Sequence, residues 1–328
     1  MRALSLALLL LMAPLWQLPA GAQSVAWPAF GPERPLLRFD GFTDTLPDFI
    51  GPIDGSAELT IFTEGNHYPV LLPLVLQGFP QWCRDSGNCN ADPARILIVT
   101  LPQPMIVRML TEGGISLGNA VLPVGPDKPV FPDLVMAGLA PLRQLRAAGV
   151  VESPARVFAH SRGMAMLLSQ ELSGVGDLDQ FSQRVGRLVI ASPSEPGARR
   201  QYRETSLALL GEAATGRLFS HEVASFAGRL GIQHRDVPYA LINGLADGGL
   251  IFSHLAHFYA AVFPVRLSAV AVPGAERFGQ DIAMVRTARA RSPLAAPFER
   301  FFMAAARTAY PMGGFSELGP GFGAPAGL

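Results

Sequence analysis

The sequence predicts an α/β fold, in which short buried strands alternate with longer amphipathic helices. Two observations support this prediction. From Ala57 onward, short apolar runs alternate with longer stretches whose apolar residues recur at helical spacing. Pro or Gly stands at many boundaries between the two kinds of segment, where such residues begin or end helices. An alternation of this kind favours sheets whose strands are mostly parallel.

The N-terminus has the pattern of an export signal. Arg2 precedes the apolar stretch 3–16, and small residues follow at 20–22. This order is typical of a secretory signal peptide, so we expect residues 1–22 to be cleaved and the mature protein to lie in the periplasm. The apolar stretch is short for a membrane span and contains Pro14. No later stretch is long and apolar enough to span, so we expect a protein that is not embedded in a membrane.

Composition limits the kinds of partner. Lys and Arg together number 26, as do Asp and Glu, so the chain has no net charge. We therefore expect no nucleic-acid partner. The chain has 328 residues, of which 49% are hydrophobic, enough for two lobes of ordinary domain size. We expect a monomer without a cofactor.

The segment 23–56 differs from the rest of the chain. It is rich in Pro, Gly and Phe and shows no clear period. We expect an N-terminal extension there, which packs on the surface or is partly mobile.

The two cysteines, Cys83 and Cys89, are separated by turn-forming residues. In an exported protein they meet oxidising conditions, which favours a disulfide that closes this loop. A metal pair is the alternative, but neither a His nor a third Cys lies nearby in the sequence. By the chain-entropy relation, so short a loop contributes about 2–3 kcal/mol.

In the first half of the chain, Pro and Gly set the expected helix limits. Pro69 fits the first turn of a helix, and Pro73 should disturb that helix. Gly113 and Gly114 should end the next one. Strands are expected in AELTIF, RILIVT and NAVLPV, and helices in PVLLPLVLQGF, PMIVRMLTEGG and, as one or two helices, PDLVMAGLAPLRQLRAAGVV.

The second half continues the alternation. Gly211 should close a helix. The segment ARVFAHSRGMAMLL is expected to be a long strand or a strand–helix junction. Other strands are expected in GRLVIASP, GGLIFS, LSAVAVPG and DIAMVRTA, and other helices in GARRQYRETSLALLG, DVPYALINGLA and PFERFFMAAARTAY.

One segment suggests catalysis. In VFAHSRGMAML, Ser161 follows a strand and precedes an apolar run, close to the G-x-S-x-G elbow of α/β-hydrolases. Asp247 and His254 lie downstream in the order that such a triad needs. Against this, Ala159 replaces the first glycine, and no oxyanion loop is evident. A secreted serine hydrolase is therefore the alternative function, and the main expectation is a protein that is not an enzyme.

Several longer segments together resemble the periplasmic solute-binding proteins of ABC transporters, in the two-lobed class that includes the molybdate-binding proteins. The resemblance runs from about Glu58 to Phe315. It implies a two-lobed fold, with lobe one at 57–156 and 264–328 and lobe two at 157–263. The segments that carry it follow the order of the family's strands, ligand loops and helices: LTIFTEGNHYPVLLPL, QPMIVRMLTEGGISLGNAVLPV, RLVIASPSEPGARRQYRETSLALLG, GLADGGLIFS and FERFFMAAARTAYPMGGF.

The resemblance also implies that a small ligand is captured between the lobes and delivered to an ABC permease. Ligands of such folds lie at strand C-termini and helix N-termini, where exposed N–H groups and the helix dipole favour anions. The residues expected at the site are Glu64, Gly65, Asn66 and His67 on one wall, Thr100 and Gln103 on a second, Ser192, Ser194, Gly197 and Arg199 on a third, and Phe252, Ser253 and His254 at the hinge side.

The expected site departs from that of the molybdate-binding proteins, which relies on small hydroxyl residues and a tyrosine. Asn66, Pro102 and Gln103 stand at serine positions of the family, and Phe252 stands at the tyrosine. Glu64 would repel an oxyanion if its side chain pointed into the site. An oxyanion remains the first expectation, but the departures argue against molybdate itself.

A metal ion is the second expectation. The stretch EGNHY has some likeness to the GQH loop of the ferric-ion-binding proteins of the same superfamily, whose His ligates iron. The ligand types present, which suit a transition metal, are Glu64, His67 and His254, with His257 close by.

Overall fold

The computed structural model describes residues 49–117, 120–151, 154–192, 195–225, 232–317, 322–323, 325–326 and 328. The expected signal peptide, most of the N-terminal extension and Ser194 lie outside the described residues.

Strands and helices alternate along this part of the chain, which confirms the predicted α/β class. The strands in chain order are β1 (Phe49–Ile50), β2 (Leu59–Glu64), β3 (Ile96–Leu101), β4 (Gly114–Leu117), β5 (Ala120–Pro123), β6 (Leu134–Gly138), β7 (Ala155–His160), β8 (Met164–Ser169), β9 (Leu188–Val189), β10 (Gly248–Phe252), β11 (Leu267–Ala271), β12 (Asp281–Arg286) and β13 (Pro325–Ala326). The α-helices in chain order are α1 (Tyr68–Pro73), α2 (Phe79–Ser86), α3 (Gln103–Glu112), α4 (Leu139–Ala147), α5 (Leu178–Arg184), α6 (Pro196–Leu210), α7 (Glu212–Ser220), α8 (Asp236–Ile242), α9 (Ser253–Val262) and α10 (Ala295–Met312).

The strands form a large sheet, a small sheet and a separate hairpin. The large sheet has the order β1-β3-β2-β6-β12-β7-β13, the small sheet has the order β11-β8-β10-β9, and β4 pairs with β5. The parallel pairs are β2 with β3, β2 with β6 and β9 with β10. Both sheets are therefore mixed, as expected. The expectation of mostly parallel strands is wrong, because strands such as β12, which returns between β6 and β7, run against their neighbours.

Within the described residues, the chain passes between the two sheets at two places. β7 ends in the large sheet at His160, and β8 begins in the small sheet at Met164. Later, β11 ends in the small sheet at Ala271, and β12 begins in the large sheet at Asp281. Lobe two was expected at 157–263, and both passages lie downstream of these limits. All of β7 therefore belongs to the large sheet, and β11 belongs to the small sheet.

The segment ARVFAHSRGMAMLL therefore forms two strands in different sheets, and neither the single strand nor the strand–helix junction is observed. Gly163 stands at the turn between them with a φ of 74°. A side chain at this position would collide with the carbonyl group of Ala275, so the turn requires glycine.

The segment expected to be one or two helices begins instead with β6, which is followed by α4. Every residue of β6 is buried, because the strand lies between β2 and β12 in the large sheet. Leu134 faces one core cluster and Val135 faces another. An apolar run that is buried on both faces has no period that separates a strand from a helix, which is why the sequence did not distinguish them.

Helices cover both faces of the large sheet. On one face, Phe302 of α10 meets Phe158 of β7 with ring centroids 5.0 Å apart. On the other face, Ile106 of α3 and Leu142 of α4 belong to the same core cluster as Val135. This packing fixes the start of α3 and the start of α4 at one edge of the sheet, beside the end of β2.

The region around α1 and α2 follows its prolines. After Pro73 the chain continues as a π-helical turn, Leu74–Gly78, in which the N–H of Phe79 donates to the carbonyl of Leu74. Pro73 thus disturbs the helix, as expected, but changes its type rather than ending it.

Two further expectations concern the surface. Cys83 and Cys89 form the expected disulfide, at the end of α2. In the described part of the expected N-terminal extension, Phe49 and Ile50 are fully buried and pair with β3, so these two residues belong to the core and not to the surface. None of the described helices is both long and apolar enough to cross a membrane.

Candidate functional site

A cleft lies between the helices that flank the large sheet and those that flank the small sheet. Its volume is about 540 Å³. The N-terminal turns of α3 and α4 line it from the side of the large sheet, and that of α6 lines it from the side of the small sheet. Phe252, at the end of β10, and Gln280, just before β12, complete the lining. The expected location of the site, at strand ends and helix starts, is therefore also the location of this cleft.

The three helices begin without a side-chain cap, as do most of the described α-helices. The residues that precede them are Pro102, Gly138 and Glu195, and none of these makes a side-chain hydrogen bond that caps the helix. The first N–H groups of an α-helix have no partner within the helix. Uncapped N-termini that face one cleft offer the positive ends of their helix dipoles to a ligand, together with the first-turn N–H groups other than those that Pro104, Pro141 and Pro196 lack.

The base of the cleft is a small cavity of about 20 Å³, next to Glu64 and Asn66. The amide nitrogen of Asn66 donates to Oε2 of Glu64 at 2.7 Å and lies 3.5 Å from Oε2 of Glu195. Gln103 also donates to Oε2 of Glu64, at 3.4 Å. One amide therefore links a carboxylate at the end of β2 to a carboxylate at the start of α6.

The pKa values of the two carboxyl groups are shifted in opposite directions. Burial, assisted by the negative charge of Glu195, raises the pKa of Glu64 to about 7. Burial alone would also raise the pKa of Glu195, but the charge of His234 and its hydrogen bond outweigh this, and the net pKa is lowered. Nδ1 of His234 lies 2.8 Å from Oε2 of Glu195. Glu195 is thus ionised beside His234, whereas Glu64 gains and loses its proton near neutral pH.

An aromatic wall stands beside the carboxylates. The ring of Phe252 stacks between His234, at a centroid distance of 4.7 Å, and His254, at 5.8 Å. Phe315 covers the other face of His254 at 4.0 Å. Phe252 therefore presents its edge, rather than a ring face, to the cleft.

His254 lines the base of the cleft. Its Nε2 donates to the backbone carbonyl of Asn66 at 2.8 Å, and burial lowers its pKa to about 3. Nδ1 is buried and has no hydrogen-bond partner among the described residues. His257 lies one turn farther along α9, and its Nδ1 bonds to the carbonyl of Ser253. The neutral ring of His254 can thus accept one further hydrogen bond.

His67 does not face the cleft, so its expected contact with a ligand is wrong in this structure. The side chain is fully buried. Nε2 lies 2.6 Å from the hydroxyl of Thr63, and Nδ1 lies 2.6 Å from the hydroxyl of Tyr310. A short 3₁₀ turn, Gly65–His67, directs the ring into the core, where burial lowers its pKa to about 3. Both nitrogens are engaged, so the ring serves the core.

The remaining expected residues divide into two groups. Gln103 and Gly197 line the cleft, and Gly65 lines a small cavity behind it, next to Arg235. The others hold structural partners: Thr100 accepts a hydrogen bond from Arg235 through its carbonyl, Ser192 pairs with Ile232, Arg199 pairs with Glu222, and the N–H of Ser253 donates to Gly163.

Sequence reasoning missed Glu195 and His234. Glu195 stands directly before the helix that begins at Pro196, a position at which a polar residue reaches the cleft. The sequence therefore held a signal for this residue, although the resemblance to the molybdate-binding proteins favoured small hydroxyl residues there. His234 is distant in the chain, and nothing in the sequence indicated that it would meet Glu195.

The structure does not join Ser161, Asp247 and His254 into a catalytic triad. Asp247 and His254 lie at opposite ends of β10, and Asp247 pairs with Arg187. The hydroxyl of Ser161 accepts a hydrogen bond from the N–H of Gln280. Ser161, Asp247 and His254 therefore do not form the triad on which the serine-hydrolase alternative rests.

No group of three or more His, Cys, Asp or Glu side chains suitable for a metal ion occurs in the described part of the chain. Of the expected metal ligands, Glu64 and His254 line the base cavity and His67 does not.

Two α/β lobes with helix N-termini around a shared cleft define the class of two-lobed solute-binding proteins. Residues 130–315 match the family described as bacterial extracellular solute-binding protein. This match covers more than half of the chain, so the chain belongs to that family. No curated protein sequence matches it significantly.

Solved structures of similar fold include proteins with different solutes. The periplasmic molybdate-binding protein of Azotobacter vinelandii has a TM-score of 0.52 at 16% identity, over 80% of this chain and 100% of that chain. The sulfate-binding protein SubI of Mycobacterium tuberculosis has a TM-score of 0.53 at 15% identity, over 80% and 87%. Iron-bound HitA of Pseudomonas aeruginosa has a TM-score of 0.52 at 13% identity, over 82% and 89%. At these identities the likeness concerns the fold alone, and it confirms the predicted two-lobed fold.

Proposed function

We propose that this protein is exported by its signal peptide, captures a small anionic solute in the periplasm and delivers it to an ABC permease. The observation that carries the proposal is the convergence of three uncapped helix N-termini, those of α3, α4 and α6, on one cleft. Exposed N–H groups and helix dipoles stabilise an anion without needing a cationic side chain. An oxyanion, or a solute that carries an oxyanion group, fits this environment.

The acidic groups at the base do not exclude an anion. Nδ1 of His234 pairs with Oε2 of Glu195 at 2.8 Å, so part of this carboxylate is already engaged within the protein. Glu64 has a pKa of about 7, so at neutral pH it is protonated in a large fraction of molecules and then bears no charge that repels the ligand. The site therefore favours anions most strongly at and below neutral pH.

Capture works by closure of the lobes. α3 and α4 belong to one side of the cleft and α6 to the other, so a ligand that contacts all three N-termini stabilises the closed arrangement. A ligand shifts this equilibrium only by the difference between its contacts in the closed and the open arrangement. The permease then receives the closed, loaded form.

The variant Asn66→Asp tests the proposal. It replaces the amide that links Glu64 and Glu195 with a further carboxylate, at nearly unchanged size. We expect thermal stabilisation of the mature wild-type protein by phosphate, sulfate or an organic anion, and loss of this effect in the variant. Asn243→Asp, at the exposed end of α8, is the matched control and should respond like wild type.

The same assay tests the metal alternative. Stabilisation of the wild-type protein by divalent or ferric ions, together with no response to any anion, would contradict the proposal and favour a metal-binding protein.

A further inference from the structure

The base of the cleft is too small for an inorganic oxyanion. The cavity beside Glu64 and His254 holds about 20 Å³, and a single water needs roughly 10–15 Å³ measured in this way. The hydroxyl residues of the molybdate-binding proteins are replaced here by Asn66 and Gln103, whose longer side chains reach towards Glu64. A ligand must therefore lie farther out, in the space of about 540 Å³ between the lobes. Drug-sized and cofactor-sized ligands occupy clefts of about 300–1,000 Å³.

Carboxamide side chains line this outer space. Gln103 and Gln144 stand on the side of the large sheet, Gln201 stands on the side of the small sheet, and Gln280 stands beside β12. The amide of Gln201 already donates to the carbonyl of Phe278. Gln144 and Gln280 are exposed to the cleft and present both a donor and an acceptor to whatever enters it.

Such a lining matches hydroxyl groups better than a bare oxyanion. A hydroxyl donates one hydrogen bond and accepts others, so it satisfies both ends of a carboxamide. A fully ionised inorganic oxyanion only accepts, so closure around it would leave amide oxygens desolvated and unpaired, which is costly. Phe252 and Phe278 also line the cleft and supply apolar contact for carbon atoms.

We propose that the captured solute is a hydroxylated organic anion, a carboxylate or phosphate ester of a polyol, whose charged end meets the helix N-termini and whose hydroxyl groups meet Gln144 and Gln280. This inference rests on the proposed function, since it names the class of anion that the same cleft takes. It adds that the organic part of the ligand, and not the oxyanion alone, determines recognition.

Calorimetric titration of the mature protein with four probes tests the inference. Gluconate carries a carboxylate and hydroxyl groups, hexanoate has the carboxylate without the hydroxyls, sorbitol has the hydroxyls without the charge, and molybdate is a compact oxyanion. We expect gluconate to bind at least ten-fold more tightly than each of the other three. Tighter binding of molybdate or of hexanoate than of gluconate would overturn the inference but leave the proposed function intact.

The other outcomes separate the two proposals. Sorbitol binding as tightly as gluconate would contradict the anionic part, which belongs to the proposed function, and would leave hydroxyl recognition in place. Absence of binding by gluconate, hexanoate and molybdate alike would contradict both.

Substitution of the carboxamides provides a second test. Gln144→Leu and Gln280→Leu should each weaken gluconate binding about ten-fold and leave hexanoate and molybdate unchanged, because each variant removes a partner for hydroxyl groups only. Gln183→Leu on the surface of α5 is the matched control and should bind gluconate like wild type. Unchanged gluconate affinity in both cleft variants would overturn the inference.

Discussion

Glu64 is the residue whose charge state most affects the cleft, because a buried carboxyl group is costly to ionise without a cationic partner. Its hydrogen bonds come from the neutral amides of Asn66 and Gln103, and the nearby charge of Glu195 is negative. The pKa of about 7 follows from this setting.

The pH dependence of stability should show the burial of Glu64. Its folded-state pKa lies above the reference value of 4.5, so its contribution is fully present below about pH 4.5 and is lost as the pH rises through about 7. As the pH rises from 5 to 8.5, the free energy of unfolding of the wild-type protein should therefore fall relative to that of Glu64→Gln. The expected relative change is ~2–3 kcal/mol for a pKa shift of this size. Urea unfolding at the two pH values measures the difference. Glu204→Gln, exposed at the rim of the cleft, is the control and should show no such relative change.

The contribution of the buried histidines to stability should depend on pH in the opposite direction. Burial lowers the pKa of His67 and of His254 to about 3. Their stabilising contribution is present above the reference value of 6.5 and is lost as the pH falls towards 3. Both rings should remain neutral at pH 5, which NMR of the imidazole nitrogens can measure against the urea-unfolded protein. Protonation of either ring above pH 5 in the folded state would contradict this account.

The sequence indicated the loop between β2 and α1 as part of the cleft, but not the direction of each side chain. Glu64, Asn66 and Gln103 were expected from their place between a strand and a helix, and all three line the cleft or its base. His67 was expected for the same reason, but one residue farther along a 3₁₀ turn the side chain points into the core. The partner of Glu195 could not be predicted, because His234 reaches it through tertiary folding alone.

At the scale of elements, the disulfide between Cys83 and Cys89 links α2 covalently to the loop that follows it. α2 in turn packs on α10, where Phe79 meets Phe298 at a ring-centroid distance of 5.1 Å. The disulfide thus stabilises a helix on the face of the large sheet that lies opposite α3 and α4.

Removal of the disulfide should weaken the fold without changing the cleft. The double substitution of Cys83 and Cys89 by Ala should lower the free energy of unfolding by about 2–3 kcal/mol, as expected for a short closed loop. Chemical denaturation measures this loss, and ligand affinity should stay as in wild type. An unchanged unfolding free energy would show that the loop is held by other contacts.

Elements whose apolar residues recur at a regular spacing, or that end at a glycine, could be predicted from the sequence, whereas β6 could not. α3 ends at Gly113 and α6 ends at Gly211, as glycine at those positions indicates. β6 and the direction of β12 depend on the neighbouring strands, which are distant in the sequence. Strand direction depends on the whole sheet, so the local alternation of strands and helices predicted more parallel pairs than the described fold contains.

At the scale of the whole molecule, the two lobes are joined by buried polar contacts behind the cleft. Arg235, beside α8, donates to the carbonyl of Thr100 in β3 at 2.7 Å. Asn66 and Glu195 approach each other across the same boundary. These contacts place charged groups of both lobes next to the cleft.

The central claim is that a small anion is held between the lobes. Native mass spectrometry of the mature protein, purified from the periplasm without refolding, tests it most directly when compared with the spectrum of the denatured protein. The account predicts that part of the population carries one low-mass organic anion with a carboxylate or phosphate group, and that Asn66→Asp does not retain it. A bound metal ion or a cationic solute, retained equally by Asn66→Asp, would contradict the account.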